Sequence, residues 1–262
     1  MKRVCILTGG SSGIGLATAE LLAKEGFTVY ELSRSGKDAA NIVHLTADVT
    51  DAAQVRGAVS KVLAAEGQID LLVCNAGFGI SGAVEFTDPA DVYAQLNVNF
   101  FGALHCIQAV LPTMRAQKTG HIVLVSSVAA PIAIPFQAFY SATKSATNSL
   151  MLSLRNELKP FGVQVCAVMP GDVKTGFTAA RKKSLAGEEV YGKALERAVA
   201  VMEHDEQNGM PPLLVAKSIL RAANEKHPRA LRTVGAQYKI FVVLAKLLPA
   251  SWTNALVGMI YK

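Results

Sequence analysis

Apolar residues in this chain fall into short unbroken runs, and between the runs their spacing shifts to a helical period. Val4–Thr8, Thr28–Leu32, Ile42–Ala47, Asp70–Cys74, His121–Ser126 and Val163–Met169 read as strands, with a shorter one at Ala230–Val234 closing the sheet. Gly13–Glu25, Asp51–Ala65, Asp91–Gln117 and Phe139–Pro160 read as helices, the first with Leu16, Ala19, Leu22 and Ala23 on its apolar face. Strands that are apolar throughout, rather than alternating, are covered on both sides, and helical connections are the crossovers that parallel pairing needs. The pattern predicts an α/β fold, a doubly wound parallel sheet of the Rossmann type, in a single domain over residues 1–262. A mostly helical insertion is expected at 175–212 and a basic amphipathic helical tail at 236–262.

Composition fits one continuous core: the chain has 262 residues, 51% of them hydrophobic, with no Pro/Gly/Ser-rich linker, low-complexity tract or internal repeat. The apolar run after Met1-Lys2-Arg3 ends at a glycine turn, too early for a signal-peptide core. Cys5, Cys74, Cys106 and Cys166 have no metal-ligand spacing, and three of them sit inside strand-like runs. Buried free thiols in a reducing compartment are expected, hence a cytoplasmic protein, with no metal site. The net charge of +6 is unevenly placed. Residues 1–170 balance 12 basic against 12 acidic side chains, whereas 171–262 carry 14 against 8.

The candidate chemistry begins with Thr8-Gly-Gly-Ser-Ser-Gly-Ile-Gly15, set between the first strand and the first helix. There Gly9 permits a tight turn, Gly13 lets a pyrophosphate approach the backbone, and Gly15 lets helix and strand pack closely. The helix N-terminus around Ser11, Ser12 and Ile14 offers free N–H groups to a phosphate, so a dinucleotide site is expected. Twenty residues beyond Gly13 stand Ser33 and Arg34, where a carboxylate would grip a ribose 2′-hydroxyl. A serine and an arginine suit a 2′-phosphate, which predicts NADP(H) in preference to NAD(H). Glu31 is the competing carboxylate if the turn shifts by two residues. Further on, Tyr140 and Lys144 share a helix face, with Ser127 thirteen residues before the tyrosine. A phenol titrates near ~10 and needs a neighbouring charge to exchange protons at neutral pH.

With these residues together the chain resembles the short-chain dehydrogenase/reductase family from Val4 to about Thr175. The resemblance rests on the glycine turn, Asp48-Val49, Asn75-Ala76-Gly77, Asn99-Phe-Phe-Gly102, Ser127 with Tyr140 and Lys144, and Pro170-Gly171-Asp-Val173-Lys-Thr175. It implies that Asp48 and Val49 hold the adenine and that Asn75–Gly77, Pro170, Gly171, Val173 and Thr175 help bind the cofactor. It further implies that Tyr140 exchanges a proton with the substrate oxygen while Ser127 polarises that oxygen. Lys144 would lower the Tyr140 pKa and hold the nicotinamide ribose, and Asn99 would position a relay water. Some NADP-preferring members carry a basic residue before the second glycine. Here that residue is Ser12.

The insertion places Phe177, Val190, Tyr191, Leu195, Val199 and Met202 at helical spacings, either as an apolar lid or as helices packed on the core. The tail is suited to lie on an anionic membrane, beside a greasy pocket mouth, or against its own domain or a subunit partner. Lid, Pro228-Arg-x-Leu-Arg232 strand and tail are similar to the 17β-hydroxysteroid and retinol dehydrogenase branches, which implies a hydrophobic carbonyl or alcohol substrate: steroid, retinoid or lipid-like. The other readings are a reductase of small or acyl-carrier-bound carbonyls, and a cofactor-sensing protein without chemistry. Retention of both Tyr140 and Lys144 argues against the last. Nucleic acid is not an expected partner, since no interleaved aromatics accompany the charge. A homodimer or homotetramer through the 91–117 and 139–160 helices is expected from the resemblance.

Overall fold

The computed structural model describes residues 3–184 and 186–261. In chain order its elements are β1 (Arg3–Thr8), α1 (Gly13–Lys24), β2 (Phe27–Ser33), β3 (Ile42–Thr46), α2 (Ala52–Glu66), β4 (Leu71–Cys74), β5 (Ile80–Ser81) and α3 (Pro89–Leu96). After a π-helical turn at Asn97–Phe101 come α4 (Gly102–Gln117), β6 (Gly120–Val125), α5 (Ala138–Glu157), β7 (Val163–Pro170), α6 (Phe177–Ala180), β8 (Lys182–Lys183), α7 (Glu188–Tyr191) and α8 (Lys193–Gln207). The chain finishes with α9 (Pro212–Asn224), β9 (Leu231–Val234), α10 (Ala236–Leu247) and α11 (Ala250–Ile260).

Seven strands form one parallel sheet in the order β3-β2-β1-β4-β6-β7-β9, the doubly wound sheet expected from the apolar runs. Side chains of each strand alternate between two covered faces. Ile6 points to the layer of α2, α4 and α5, with Val59, Ile107, Val110 and Met151. Cys5 and Leu7 point to the layer of α1 and α9, with Ala19, Leu22, Val215 and Ile219. The order reverses at β1, whose neighbours are β2 and β4. The loops leaving β1 and β4 therefore diverge and open a crevice at the strand ends.

Local chemistry explains the element ends. The Asp51 carboxylate caps α2 by accepting from the Ala53 and Gln54 N–H groups, and Gly67 ends that helix in the left-handed region (φ 72°). One helix-face expectation is corrected. Leu16 is 40% exposed, because the buried stripe of α1 runs through Gly15, Thr18, Ala19, Leu22 and Ala23, and Leu16 is a residue past its start. Gly15 takes an inner position because a Cβ there would overlap the Gly9 carbonyl oxygen.

The 175–212 stretch is divided in two. Leu195, Ala198, Val199 and Met202 form a small core of their own, packed with Ile134, Phe136 and Tyr261. Val190 and Tyr191 are exposed, so neither covers the crevice. A two-stranded parallel ribbon, β5 with β8, ties the insertion to the loop after β4. The tail breaks at Leu248-Pro249 into α10 and α11.

Candidate active site

At the ends of β1 and β4 the chain is held tightly enough to leave a groove. Thr8 Oγ1 accepts from the Asn75 and Ala76 N–H groups, each at 3.0 Å, and Asn75 Nδ2 donates to the Thr8 and Gly9 carbonyls. Gly9 and Gly13 have φ of +67° and +54°, conformations that favour glycine. A Cβ on Gly15 would overlap the Gly9 carbonyl oxygen, so that glycine serves helix–strand contact. Ser12 stands at the N-cap of α1 in extended conformation without a capping bond, which leaves its hydroxyl and the first helical N–H groups for an anion. This cradle fits a dinucleotide pyrophosphate.

A continuous cavity of about 1450 Å³ starts here and runs to the C-terminal helices. Its wall includes Gly9, Ser11, Ser12, Gly13, Ile14, Ser33, Arg34, Asp48, Val49, Asn75, Ala76, Gly77, Ser127, Tyr140, Lys144, Pro170, Gly171, Val173 and Thr175. Of the catalytic and cofactor-binding residues expected from sequence, Gly15 and Asn99 stand behind the wall.

At the adenosine end Arg34 is exposed beside Ser33, whose hydroxyl donates to the Ser35 carbonyl at 2.8 Å. Glu31 is only 3% exposed and faces away from the cavity. One of its oxygens accepts the Gly10 N–H at 2.8 Å, and the other is hydrogen-bonded to His44 Nδ1 at 2.6 Å. The competing carboxylate is thus consumed in bracing the turn from below. Asp48 spends one carboxylate oxygen on the Thr50 N–H and hydroxyl, fixing the loop that carries Val49.

Ser127, Tyr140 and Lys144 meet midway along the cavity. Ser127 follows β6, and Tyr140 and Lys144 project from the first turns of α5, so the phenol and the serine hydroxyl come within hydrogen-bond reach. Ser126, the alternative serine, is buried and directs its hydroxyl to the Lys144 carbonyl. The Lys144 ammonium lies 5.6 Å from the Tyr140 ring centroid and donates to the Val125 carbonyl at 2.8 Å. Burial pushes the Tyr140 phenol up to about 12, against a lowering by the Ser127 bond, and brings Lys144 down to about 8. The expected lowering of Tyr140 by Lys144 is not what this geometry produces. Desolvation dominates, and the phenol stays protonated at neutral pH.

Asn99 occupies the π-helical turn between α3 and α4, an interruption often found where a side chain has been re-aimed. Its Oδ1 accepts the Phe78 N–H, and its Nδ2 donates to the Phe78 carbonyl and to Thr143 Oγ1. Protein partners take both amide N–H groups and one lone pair of the oxygen. It locks the Gly77–Phe78 loop to α5 and so sets where Lys144 stands.

Beyond Tyr140 the cavity is lined by Phe177 of the insertion and by the tail, in keeping with an apolar lid residue and a tail beside a greasy pocket mouth. The Phe177 ring packs edge-on to Tyr140 with centroids 5.6 Å apart. Phe241, Leu244, Leu248, Leu256 and Met259 of the tail line the far end. Three carboxylates, Asp172, Asp205 and Glu206, face the same space. Glu206 is paired with Arg181 and accepts from Thr178 Oγ1, whereas neither Asp172 nor Asp205 forms an ion pair among the described residues. Asp172 accepts from the Tyr238 hydroxyl at 2.6 Å, yet burial and the nearby acids hold its carboxyl above the usual range. The acid after Pro170-Gly171 was visible in sequence, but nothing local connected it with Asp205 or Tyr238.

A phosphate cradle at the reversal of a parallel sheet, with a Ser–Tyr–Lys cluster beside it, defines an oxidoreductase that uses a nicotinamide dinucleotide. The short chain dehydrogenase model matches residues 3–186, and the chain belongs to that family. It is 37% identical over 247 residues to a 3-ketodihydrosphingosine reductase of Bacteroides thetaiotaomicron, covering 93% of this chain and 92% of the relative. A short-chain dehydrogenase structure from Streptomyces avermitilis superposes with a TM-score of 0.84 at 28% identity, covering 98% of both chains. ElxO with NADP bound (TM-score 0.75, 27% identity, 92% and 100% covered) and a Burkholderia phymatum enzyme in complex with NAD (0.79, 25%, 94% and 92%) are also similar. Likeness of fold therefore leaves the choice of dinucleotide to the residues around Arg34.

Proposed function

We propose that the chain is an NADPH-dependent reductase of a long-chain ketone that carries an ammonium group, of the 3-ketodihydrosphingosine type. The observation that carries this reading is the composition of the cavity beyond Tyr140: an apolar far end from α10 and α11, and on the same wall two carboxylates, Asp172 and Asp205, that form no ion pair among the described residues. A neutral steroid or retinoid leaves those acids uncompensated in a partly desolvated site, which is costly. A cationic amphiphile pairs them and fills the apolar end. The 3-ketodihydrosphingosine reductase at 37% identity is in keeping with this substrate class. NADP(H) is favoured because Arg34 is exposed toward the cavity while Glu31 is occupied beneath Gly10.

When bound, the dinucleotide supplies the hydride. Ser127 donates to the substrate oxygen and holds it against the phenol. Tyr140, protonated at neutral pH, gives its proton to that oxygen as negative charge develops there. Lys144, charged below about 8, stabilises the resulting phenolate and leads a proton back to it. Asn99 acts through position by fixing the loop and helix that flank Lys144.

Four buried thiols, each raised by burial, are in keeping with a reducing, cytoplasmic setting. A homodimer or homotetramer would use α3–α4 and α5, which expose Tyr93, Phe101 and Leu152. The direct test is NADPH oxidation by the purified chain with 3-ketodihydrosphingosine, its N-acetylated form and a neutral ketone of equal length. Preference for the free amine supports the reading; equal turnover of the neutral ketone overturns it.

A further inference from the structure

The two C-terminal helices present apolar side chains in two directions. Phe241, Leu244, Leu256 and Met259 line the cavity, whereas Ile240, Val243, Leu247 and Trp252 are outside its wall and face solvent. Leu247 is 76% exposed and Trp252, the sole tryptophan, 64%. Such a concentration on two short neighbouring helices exceeds the scattered apolar residues of an ordinary surface. From Lys226 onward every charged side chain in the sequence is basic. Lys239 and Lys246 are exposed on α10, Lys226 and Arg229 precede it, and no acidic residue follows Glu225.

Two occupants could cover this face. A second copy related by a two-fold axis would bring Lys239 and Lys246 toward their own counterparts and close the cavity end that α10 and α11 form. An anionic bilayer meets the lysines with phosphates and the apolar side chains with acyl chains. Helices of 12 and 11 residues are too short to span, and among the described residues no helix is long and apolar enough to cross a membrane. Lying in the interface is the geometry left to them.

We propose that α10 and α11 form a bilayer-docking surface, through which a lipid-class substrate passes from an anionic membrane into the cavity between the two helices. Ile240, Val243, Leu247 and Trp252 enter the headgroup–acyl boundary, and Lys239 and Lys246 contact lipid phosphates. Passage of substrate rests on the reductase reading above; docking does not.

Trp252 reports docking without a label. Vesicles of phosphatidylglycerol and phosphatidylcholine should shift its emission to the blue and carry the chain down on sedimentation, and pure phosphatidylcholine should do so at least about tenfold less well. Leu247→Glu, and separately Lys239→Glu with Lys246→Glu, should each lower partition at least about tenfold while turnover of a water-soluble ketone is unchanged. With long-chain ketone embedded in the anionic vesicles, both variants should lose rate in proportion to lost binding. Absence of partition by the unaltered chain overturns docking. So does a lipid-independent blue shift that grows with protein concentration and vanishes in a monomeric Leu247→Glu variant, which assigns the face to a second copy. Vesicle binding is read without substrate or NADPH, so docking that persists while no lipid ketone is reduced removes the substrate reading alone.

Discussion

The Tyr238 hydroxyl donates to the Asp172 carboxylate at 2.6 Å, joining tail helix α10 to the loop that leaves β7. The Tyr238 ring fills the space beside Gly171 and Gly235, and a Cβ at either glycine would overlap it. One bond thus holds the far wall of the cavity and fixes a carboxylate on it. Asp172→Asn removes the charge and keeps a hydrogen-bonding group. It should raise KM for the amino ketone roughly 10- to 100-fold, the value of one charge-assisted bond, and leave a neutral ketone of equal length within about twofold. Steady-state kinetics with the two ketones decide it.

Tyr140→Phe keeps the ring packed on Phe177 and removes the only proton the mechanism gives to the substrate oxygen. Turnover should fall by about 100-fold or more, with NADPH affinity within about twofold of the unaltered chain. Single-turnover rates together with fluorescence titration of NADPH separate the two effects. Retained turnover would dismiss the phenol as the acid.

The pH dependence of reduction follows from two groups, the half-buried Tyr140 and the buried Lys144. Tyr140, held at about 12, remains protonated over the usual assay range. Lys144, brought to about 8, is charged below that pH and neutral above it. Reduction should be level on the acid side and fall by about tenfold per unit once pH exceeds about 8. A pH–rate profile checks the limb, and a Lys144→Arg variant with residual activity should move it to higher pH. A profile that is flat through pH 9 would remove the Lys144 charge from the reaction.

Cofactor choice is predicted to rest on Arg34 rather than Glu31. Arg34→Glu should weaken NADPH roughly 10- to 100-fold and leave NADH within about threefold. Glu31→Gln should instead lower thermal stability and weaken both dinucleotides together, because its oxygens brace Gly10 and His44 under the turn. Titration of each variant with both cofactors distinguishes these outcomes.

Local pattern alone determined much of this protein. Apolar runs separated by helical periods specify the parallel sheet, and a glycine turn after the first strand specifies where a phosphate rests. A spacing of four puts Tyr140 and Lys144 on one face of α5, whose geometry follows from a few neighbouring residues, and Ser127 joins them from the loop after β6. Leu16 marks the limit of that logic, since it is exposed while the buried stripe of α1 runs through its neighbour Gly15.

Tertiary structure decided what the cavity is made of. Asp172 and Tyr238 stand 66 residues apart, and their meeting requires β9 to pair with β7 and α10 to fold back over the strand ends. Glu31 turns inward because of His44 on the neighbouring strand, which a count from Gly13 does not reveal. The Tyr140 pKa rises rather than falls because burial is a property of everything packed around the ring. Reaction class is written in short-range spacing. The lining of the cavity and the exposed apolar face of α10 and α11 are set where distant segments converge, and only their packing decides those.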